Sequence, residues 1–312
     1  MALTMGKSTR EAFGLALAEL GATRPDLVVL DGDVNNSTRT EHFRERFPDR
    51  FVNVGIAEAN LVGVAAGLAA SGKTPVLASF AAFLLCNAYD QIRMGVAFPA
   101  LNVKLVGSHS GISIGQDGPS QMAIEDVALA CSLPGFRVVV PCDEVSTAAA
   151  TRAMVAEPGP VYLRCGRPEV PVVYPNGCDF RIGRAIRLRD GSDVTLVANG
   201  LMVPMALEAA DTLASRGVKA RVLDLHTVKP LDESAIVDAA RQTRGIVVAE
   251  EHLAAGGLGS AVAAVVAREH PARVRYVNLG DTYAESGAPP ELLEKYGLTA
   301  ERIVGSALEL AR

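Results

Sequence analysis

Along this chain, short and nearly continuous apolar runs alternate with longer stretches in which apolar residues recur every third or fourth position. The runs predict buried strands and the longer stretches predict helices packed on them. Strands are expected at Leu27–Leu30, Phe51–Val54, Thr74–Ser79, Leu101–Val106, 136–140 and 160–163. Helices are expected at about 9–21, 38–46, from Glu58 onward, 80–95, 124–131 and 143–156. Ser8-Thr9-Arg10-Glu11 has the form of a capping box that opens the first helix. After Pro168–Asp179, whose prolines and Pro-Asn-Gly turn read as a linker, the alternation resumes. It gives strands at 193–198, 219–224, 245–249 and 273–278, helices at 202–216, 232–242 and 258–268, and two closing helices. Such alternation predicts an α/β fold of two doubly wound domains, each a mainly parallel sheet flanked by helices, over 1–180 and 181–312.

One stretch interrupts the pattern with chemistry. Glu58 opens a run of alanine, leucine, valine and glycine that carries no other charge until Lys73. The run predicts a closely packed buried helix. A carboxylate at its mouth is costly unless paired, although an acid also suits the positive end of a helix.

Three loops follow predicted strands, at the edge where open α/β sheets bind ligands. Asp31-Gly32-Asp33-Val34-Asn35-Asn36-Ser37 is polar and also fits an ordinary turn. Gly107–Gln121 is long, rich in glycine, and carries His109 and Asp117. A loop of that length inside a compact domain is usually functional or disordered, and its His and Asp favour function. Arg164-Cys165-Gly166-Arg167 offers two arginines able to fork onto a phosphate or carboxylate, or to stand solvated at the surface. Gly256-Gly257-Leu258-Gly259 lacks the full spacing of a nucleotide loop and reads as a tight start to a helix.

Bulk properties narrow the field. With 312 residues, 49% of them hydrophobic, the chain can build two sizeable cores. A net charge of −5 and a pI near 5.6, without a basic cluster, argue against nucleic acid. The longest apolar stretch, Val76–Ala88, is too short to cross a bilayer, and the first residues lack a leader core. Five cysteines without a Cys-x-x-Cys pair read as reduced thiols, so a cytoplasmic location is expected.

Taken together, Gly55-Ile56-Ala57-Glu58, Phe80 with Phe83, His109 and Gly115-Gln116-Asp117-Gly118-Pro119 resemble the pyrimidine-binding domain of transketolases. Thr227-Val228-Lys229-Pro230-Leu231-Asp232, Glu250-Glu251-His252 and the glycines that follow resemble the transketolase carboxy-terminal domain. The resemblance covers nearly the whole chain. Asp31-Gly32-Asp33 is not the Gly-Asp-Gly…Asn signature with which the family's amino-terminal domain holds magnesium and the cofactor's diphosphate. The resemblance therefore implies the second half of a transketolase, encoded as a separate subunit. It would share thiamine diphosphate with an amino-terminal partner in an α2β2 assembly, with the magnesium ligands on that partner.

The resemblance also implies roles. Glu58 would hydrogen-bond the far nitrogen of the pyrimidine and so favour the imino tautomer that serves as base. Phe80 and Phe83 would wall the ring, with Cys86 where family members often have a third aromatic. Asp33 would lie near the cofactor. His109, with Asp117, would contact sugar hydroxyls or the terminal phosphate, and Arg10, Ser37 and Arg164 would bind the phosphate end. Gln121 stands where the family usually has histidine, and it cannot shuttle protons. The activity implied is transfer of a two-carbon ketol unit between sugar phosphates. Alternatives are half of a deoxyxylulose-phosphate synthase-like enzyme, the beta subunit of a 2-oxoacid dehydrogenase's first component, or a non-catalytic scaffold.

Overall fold

The computed structural model describes residues 3–311. Fourteen strands are numbered in chain order. They are β1 (Met5–Ser8), β2 (Leu27–Asp31), β3 (Phe51–Asn53), β4 (Thr74–Phe80), β5 (Lys104–Ser108), β6 (Arg137–Val139) and β7 (Val161–Arg164). They continue with β8 (Glu169–Pro171), β9 (Ile186–Arg189), β10 (Val194–Ala198), β11 (Ala220–Asp224), β12 (Thr227–Lys229), β13 (Ile246–Ala249) and β14 (Val274–Val277). The first sheet has the order β12-β6-β7-β5-β4-β2-β3 and the second β14-β13-β10-β11-β9, while β1 and β8 form a small antiparallel ribbon. Both large sheets are parallel except for one strand each, β12 and β9. The α/β fold and its two mainly parallel sheets are as the alternation predicted.

The first sheet is covered on both faces, which is why its strands read as unbroken apolar runs. In β4, Val76 and Ala78 join Phe13, Leu17, Phe43 and Leu163 on one face, and Leu77 joins Leu30, Leu61, Leu84 and Leu105 on the other. That second cluster runs on through Val127 and Val138 to Leu223, Ile246 and Leu258. One core thus joins the two halves. β12, from the second half, adds to the edge of the first sheet through β6.

Several local expectations need correction. The proline-rich stretch is not a free linker, since β8 pairs with β1 and both Val170 and Tyr174 are buried. Only half of the capping box forms. Ser8 Oγ accepts from Glu11 N, but the Glu11 carboxylate turns to Arg39 and His42 instead. The helix expected at 80–95 is broken into Ala81–Asn87, Tyr89–Gln91 and a π-helical turn Ile92–Ala97.

The largest difference concerns the helix Glu58–Ala70. It buries Leu61, Val62 and Ala65 but leaves Asn60, Gly63, Gly67 and Ala70 exposed. A helix that is apolar all round packs one face on the sheet and has a second apolar face left over. A Cβ built on Gly63 or Gly67 would meet nothing within 4 Å. Ile56 just before this helix is 82% exposed and Phe98, beyond the adjoining π-helical turn, is 81% exposed.

Candidate active site

Chain order reverses across β2, because β3 lies on one side of it and β4 to β7 on the other. A reversal of this kind opens a crevice at the carboxyl ends of the strands. Residues from the ends of β2, β3, β4, β5 and β7 meet along that edge. Three of the four non-glycine residues with left-handed backbone among the described residues lie there: Asp33 (φ 67°), Arg39 (φ 66°) and His109 (φ 58°). Strain of this sort persists where the surroundings over-determine it, and it concentrates at functional sites.

Glu58 begins its helix after the turn that leaves β3, and it is only 7% exposed. Its Oε1 accepts from Ser79 Oγ at 3.0 Å, the last polar side chain of β4 before Phe80. Its other carboxyl oxygen has no hydrogen-bond partner among the described residues. Asp33 accepts from the Asn53 amide at 2.7 Å, and Asn53 in turn accepts from Gly55 N, so the two turns are latched together.

An aromatic stack runs beside them. Phe80 and Phe83 lie parallel with centroids 5.7 Å apart, and His109 stacks on Phe80 at 4.0 Å. Cys86 sits at the exposed end of this helix. Burial, with Glu125 nearby, pushes its thiol up to about 11, so it remains protonated at neutral pH.

His109 is 2% exposed and held from both ring nitrogens. Arg10 approaches Nε2 at 3.2 Å, and arginine can only donate. Nε2 therefore accepts, and the proton on Nδ1 is directed to Ser108 Oγ at 2.8 Å. Burial, reinforced by Arg10, Arg167 and Arg39, pulls the ring down to about 3. His109 is therefore neutral throughout the physiological range. The Arg10 guanidinium also donates to Ser37 O at 2.9 Å, and its Nε is buried without a partner among the described residues. Burial and the neighbouring Arg39 and Arg167 lower its pKa. Arg39 is paired with Glu11 and Glu41, but the unspent Arg10 donor with the charge of Arg167 nearby suits an anion.

Arg10, Ser37, His109, Phe80 and Phe83 are thus in direct contact. Asp117 pairs with Arg167, 3.4 Å away, whose charge is felt by Arg10 and His109. Among the described residues Gln121 bonds only to its own loop, through Ser120 Oγ and Gly118 O. Arg164 does not join them. It is 5% exposed, with Nε on Asp126 at 2.8 Å and NH2 on the carbonyls of Ala123 and Glu251. Burial opposes its charge, but Asp126 more than compensates and holds its pKa above the ordinary arginine value. The Arg164 Nε and NH2 are thus committed to structural partners. Arg167 can serve as an anion receptor, since it is partly exposed and its NH1 rests on Ile114 O. The sequence holds a signal for that choice: Arg164 is the last residue of a strand buried on both faces, and Arg167 lies beyond it.

At Gly256–Gly259 the place of a phosphate is taken by the chain itself. The Glu250 carboxylate accepts from Leu258 N and Gly259 N at 2.7 Å. A Cβ on Gly257 would lie 2.3 Å from that carboxylate, so the glycine permits the close approach.

The family described as "Transketolase, pyrimidine binding domain" matches residues 5–172, and "Transketolase, C-terminal domain" matches residues 183–303. The chain is 42% identical over 302 residues to mouse "Transketolase-like protein 2", covering 96% of this chain but 48% of that protein. It therefore spans about half the length of such relatives. It is also 42% identical to the "6-deoxy-6-sulfo-D-fructose transketolase subunit SqwH" of Clostridium sp. (strain MSTE9), covering 96% of this chain and 94% of that one. A solved structure titled "Split gene transketolase, inactive beta4 tetramer" is 46% identical with a TM-score of 0.92, covering 98% of this chain and 99% of the other.

Proposed function

The chain belongs to the transketolase family and corresponds to its carboxy-terminal half; from that premise we propose that it is one subunit of a split transketolase. The observation carrying this reading is length. Relatives that match end to end include a transketolase subunit, a putative transketolase C-terminal section and a split-gene transketolase. In this reading the chain moves a two-carbon ketol unit from a ketose phosphate to an aldose phosphate, as a cytoplasmic transferase. The halves 1–180 and 181–312 act as its pyrimidine and carboxy-terminal domains. A partner chain supplies the diphosphate domain and the magnesium ligands, and the assembly is α2β2. The unfilled apolar face of the helix Glu58–Ala70, with Ile56 and Phe98, is where that partner docks.

The residues present fit thiamine diphosphate. A buried carboxyl with one oxygen unspent, beside two parallel aromatic rings, suits a flat nitrogen heterocycle. Bound thiamine diphosphate supplies a nucleophilic thiazolium carbon and an electron sink for cleaving the bond next to a ketose carbonyl. Glu58 contributes a hydrogen bond to the pyrimidine nitrogen, and Ser79 fixes the rotamer from which it does so. Phe80 and Phe83 exclude water from the ring, and Asp33 borders the same crevice. His109, neutral and with Nε2 accepting from Arg10, orients that guanidinium toward the sugar and its phosphate. Arg10, the Ser37 turn and Arg167 hold the phosphate end. Asp117 and Gln121 face the sugar chain, where glutamine offers hydrogen bonds but no proton transfer.

The test is reconstitution with a chain bearing the Gly-Asp-Gly…Asn domain, thiamine diphosphate and magnesium. Ketol transfer to an aldose phosphate is expected from the mixture and from neither chain alone. Carbon dioxide release from a 2-oxoacid in place of ketol transfer would overturn the assignment.

A further inference from the structure

The loop between β5 and the helix Asp126–Cys131 carries His109, Asp117 and Gln121, yet the first half of the chain does not hold it alone. Three consecutive residues after β13 hold this loop and the helix that follows it from the second half. The Glu251 carboxylate accepts from Ser113 N at 2.6 Å and from Ser113 Oγ at 3.2 Å. His252 Nε2 accepts from Ala128 N, and Leu253 N donates to Ile124 O. Farther along, Ser286 Oγ donates to Gln116 O. The Glu251 carbonyl is bound by Arg164, which also binds Ala123 O and Asp126, so the carboxylate is fixed from behind.

The loop is shaped to receive that carboxylate. Gly111 has φ +77°, and a Cβ there would lie 2.1 to 2.3 Å from the three terminal atoms of Glu251. Ser113 stands in the turn Ile112–Ile114, whose last carbonyl supports Arg167. Glu251 is 5% exposed and touches the loop at backbone and side chain together, so shifting it shifts the turn.

We propose that Glu251, from the carboxy-terminal half, is a positioning residue for the substrate loop: it sets the turn from which His109, Asp117 and Arg167 address the sugar phosphate. The proposal deepens the transketolase reading and rests on it for the identity of the substrate. Glu251 touches no reacting atom, and its effect passes through Ser113.

The experiment has two arms. In the full chain, amide hydrogen exchange of residues 109–121 is compared between the native protein and Glu251→Ala. Exchange at Ser113 is expected to rise about ten-fold, in line with losing a hydrogen bond to a charged group. In the reconstituted complex, KM for the ketose phosphate is expected to rise about ten-fold, with the half-saturating thiamine diphosphate concentration unchanged. Glu251→Gln, which keeps an oxygen for Ser113 N, is expected to recover most of the KM. A purely structural role would lower the melting temperature and leave KM alone. Unchanged exchange and unchanged KM in folded Glu251→Ala overturn the proposal. Should Glu251→Ala fail to fold, Ser113→Ala removes only the hydroxyl contact and is expected to raise KM two- to three-fold, about half a kcal/mol; an unchanged KM there overturns it equally. If the native complex transfers no ketol unit, the transketolase reading fails, and the exchange arm still decides whether Glu251 holds the loop.

Discussion

Two regions of the same sheet edge are finished to different degrees. The loop 109–121 is closed by this chain itself: the second half seats a carboxylate under Ser113 and bonds to Gln116 O and, just past the loop, to Ile124 O. The helix that begins at Glu58 is left open, with glycines facing nothing and large apolar side chains in solvent. Burying an apolar face is favourable by about 25 cal/mol per Å², so an open one marks where another surface belongs. On the proposed reading, the difference means that the substrate end of the site is built within one chain and the cofactor end is left for another to complete.

The sharpest way to break that comparison is at Glu58. Glu58→Ala in the assembled complex is expected to cut turnover by about a hundred-fold or more, the range for a lost proton-handling group, with the fold intact by circular dichroism. Undiminished turnover would sink the role given to this residue.

Next comes the contrast between the two arginines. Arg164→Met leaves Asp126 buried without its counter-charge, bonded among the described residues only by the Tyr162 hydroxyl, and is expected to cost about 3–5 kcal/mol in denaturant unfolding. Arg167→Gln is expected to change stability by less than about 0.5 kcal/mol and to raise KM for the phosphorylated sugar. If the two variants behave alike, the division between a structural and a binding arginine is wrong.

Acid should probe the closed region. Burial lowers His109 to about 3 and His226 to about 4, both below the ordinary histidine value near 6.5. The unfolded chain therefore binds protons that the folded chain does not. Stability from these two groups is complete above about pH 6.5 and is lost as pH falls toward 4 and then 3. Each contributes a slope of about 1.4 kcal/mol per pH unit in that window. Replacing His109 with asparagine is expected to flatten the decline measured by denaturant melts at stepped pH.

The smallest effect concerns the open face. Ile56→Ser or Phe98→Ser is expected to leave the melting of the isolated chain nearly unchanged and to weaken partner binding about ten-fold, or 1.4 kcal/mol. A titration of the two chains by calorimetry reads it.

Much of this was legible beforehand, for identifiable reasons. β4 and β10 declare themselves because strands covered on both faces must be apolar throughout, and the hydrophobic effect writes that requirement locally. The turns at Asp33, His109 and Glu58 could be found because they fall just after such strands. What stayed hidden depended on partners distant in sequence. Val170 becomes buried only because β8 meets β1 across the chain, and β12 crosses to the other half's sheet. Arg164 and Arg167 differ by three positions and carry the same charge, yet only packing against Asp126 removes one of them from solvent.

By itself, then, the sequence determined the α/β architecture, the order of its elements and the family it belongs to, because these follow from short-range periodicity and from motifs in fixed order. The tertiary structure decided which arginine is buried on Asp126, which tautomer His109 adopts, and that Glu251 reaches across to hold Ser113. Those outcomes depend on burial and on contacts between residues far apart in the chain, and neither exists until the chain has folded.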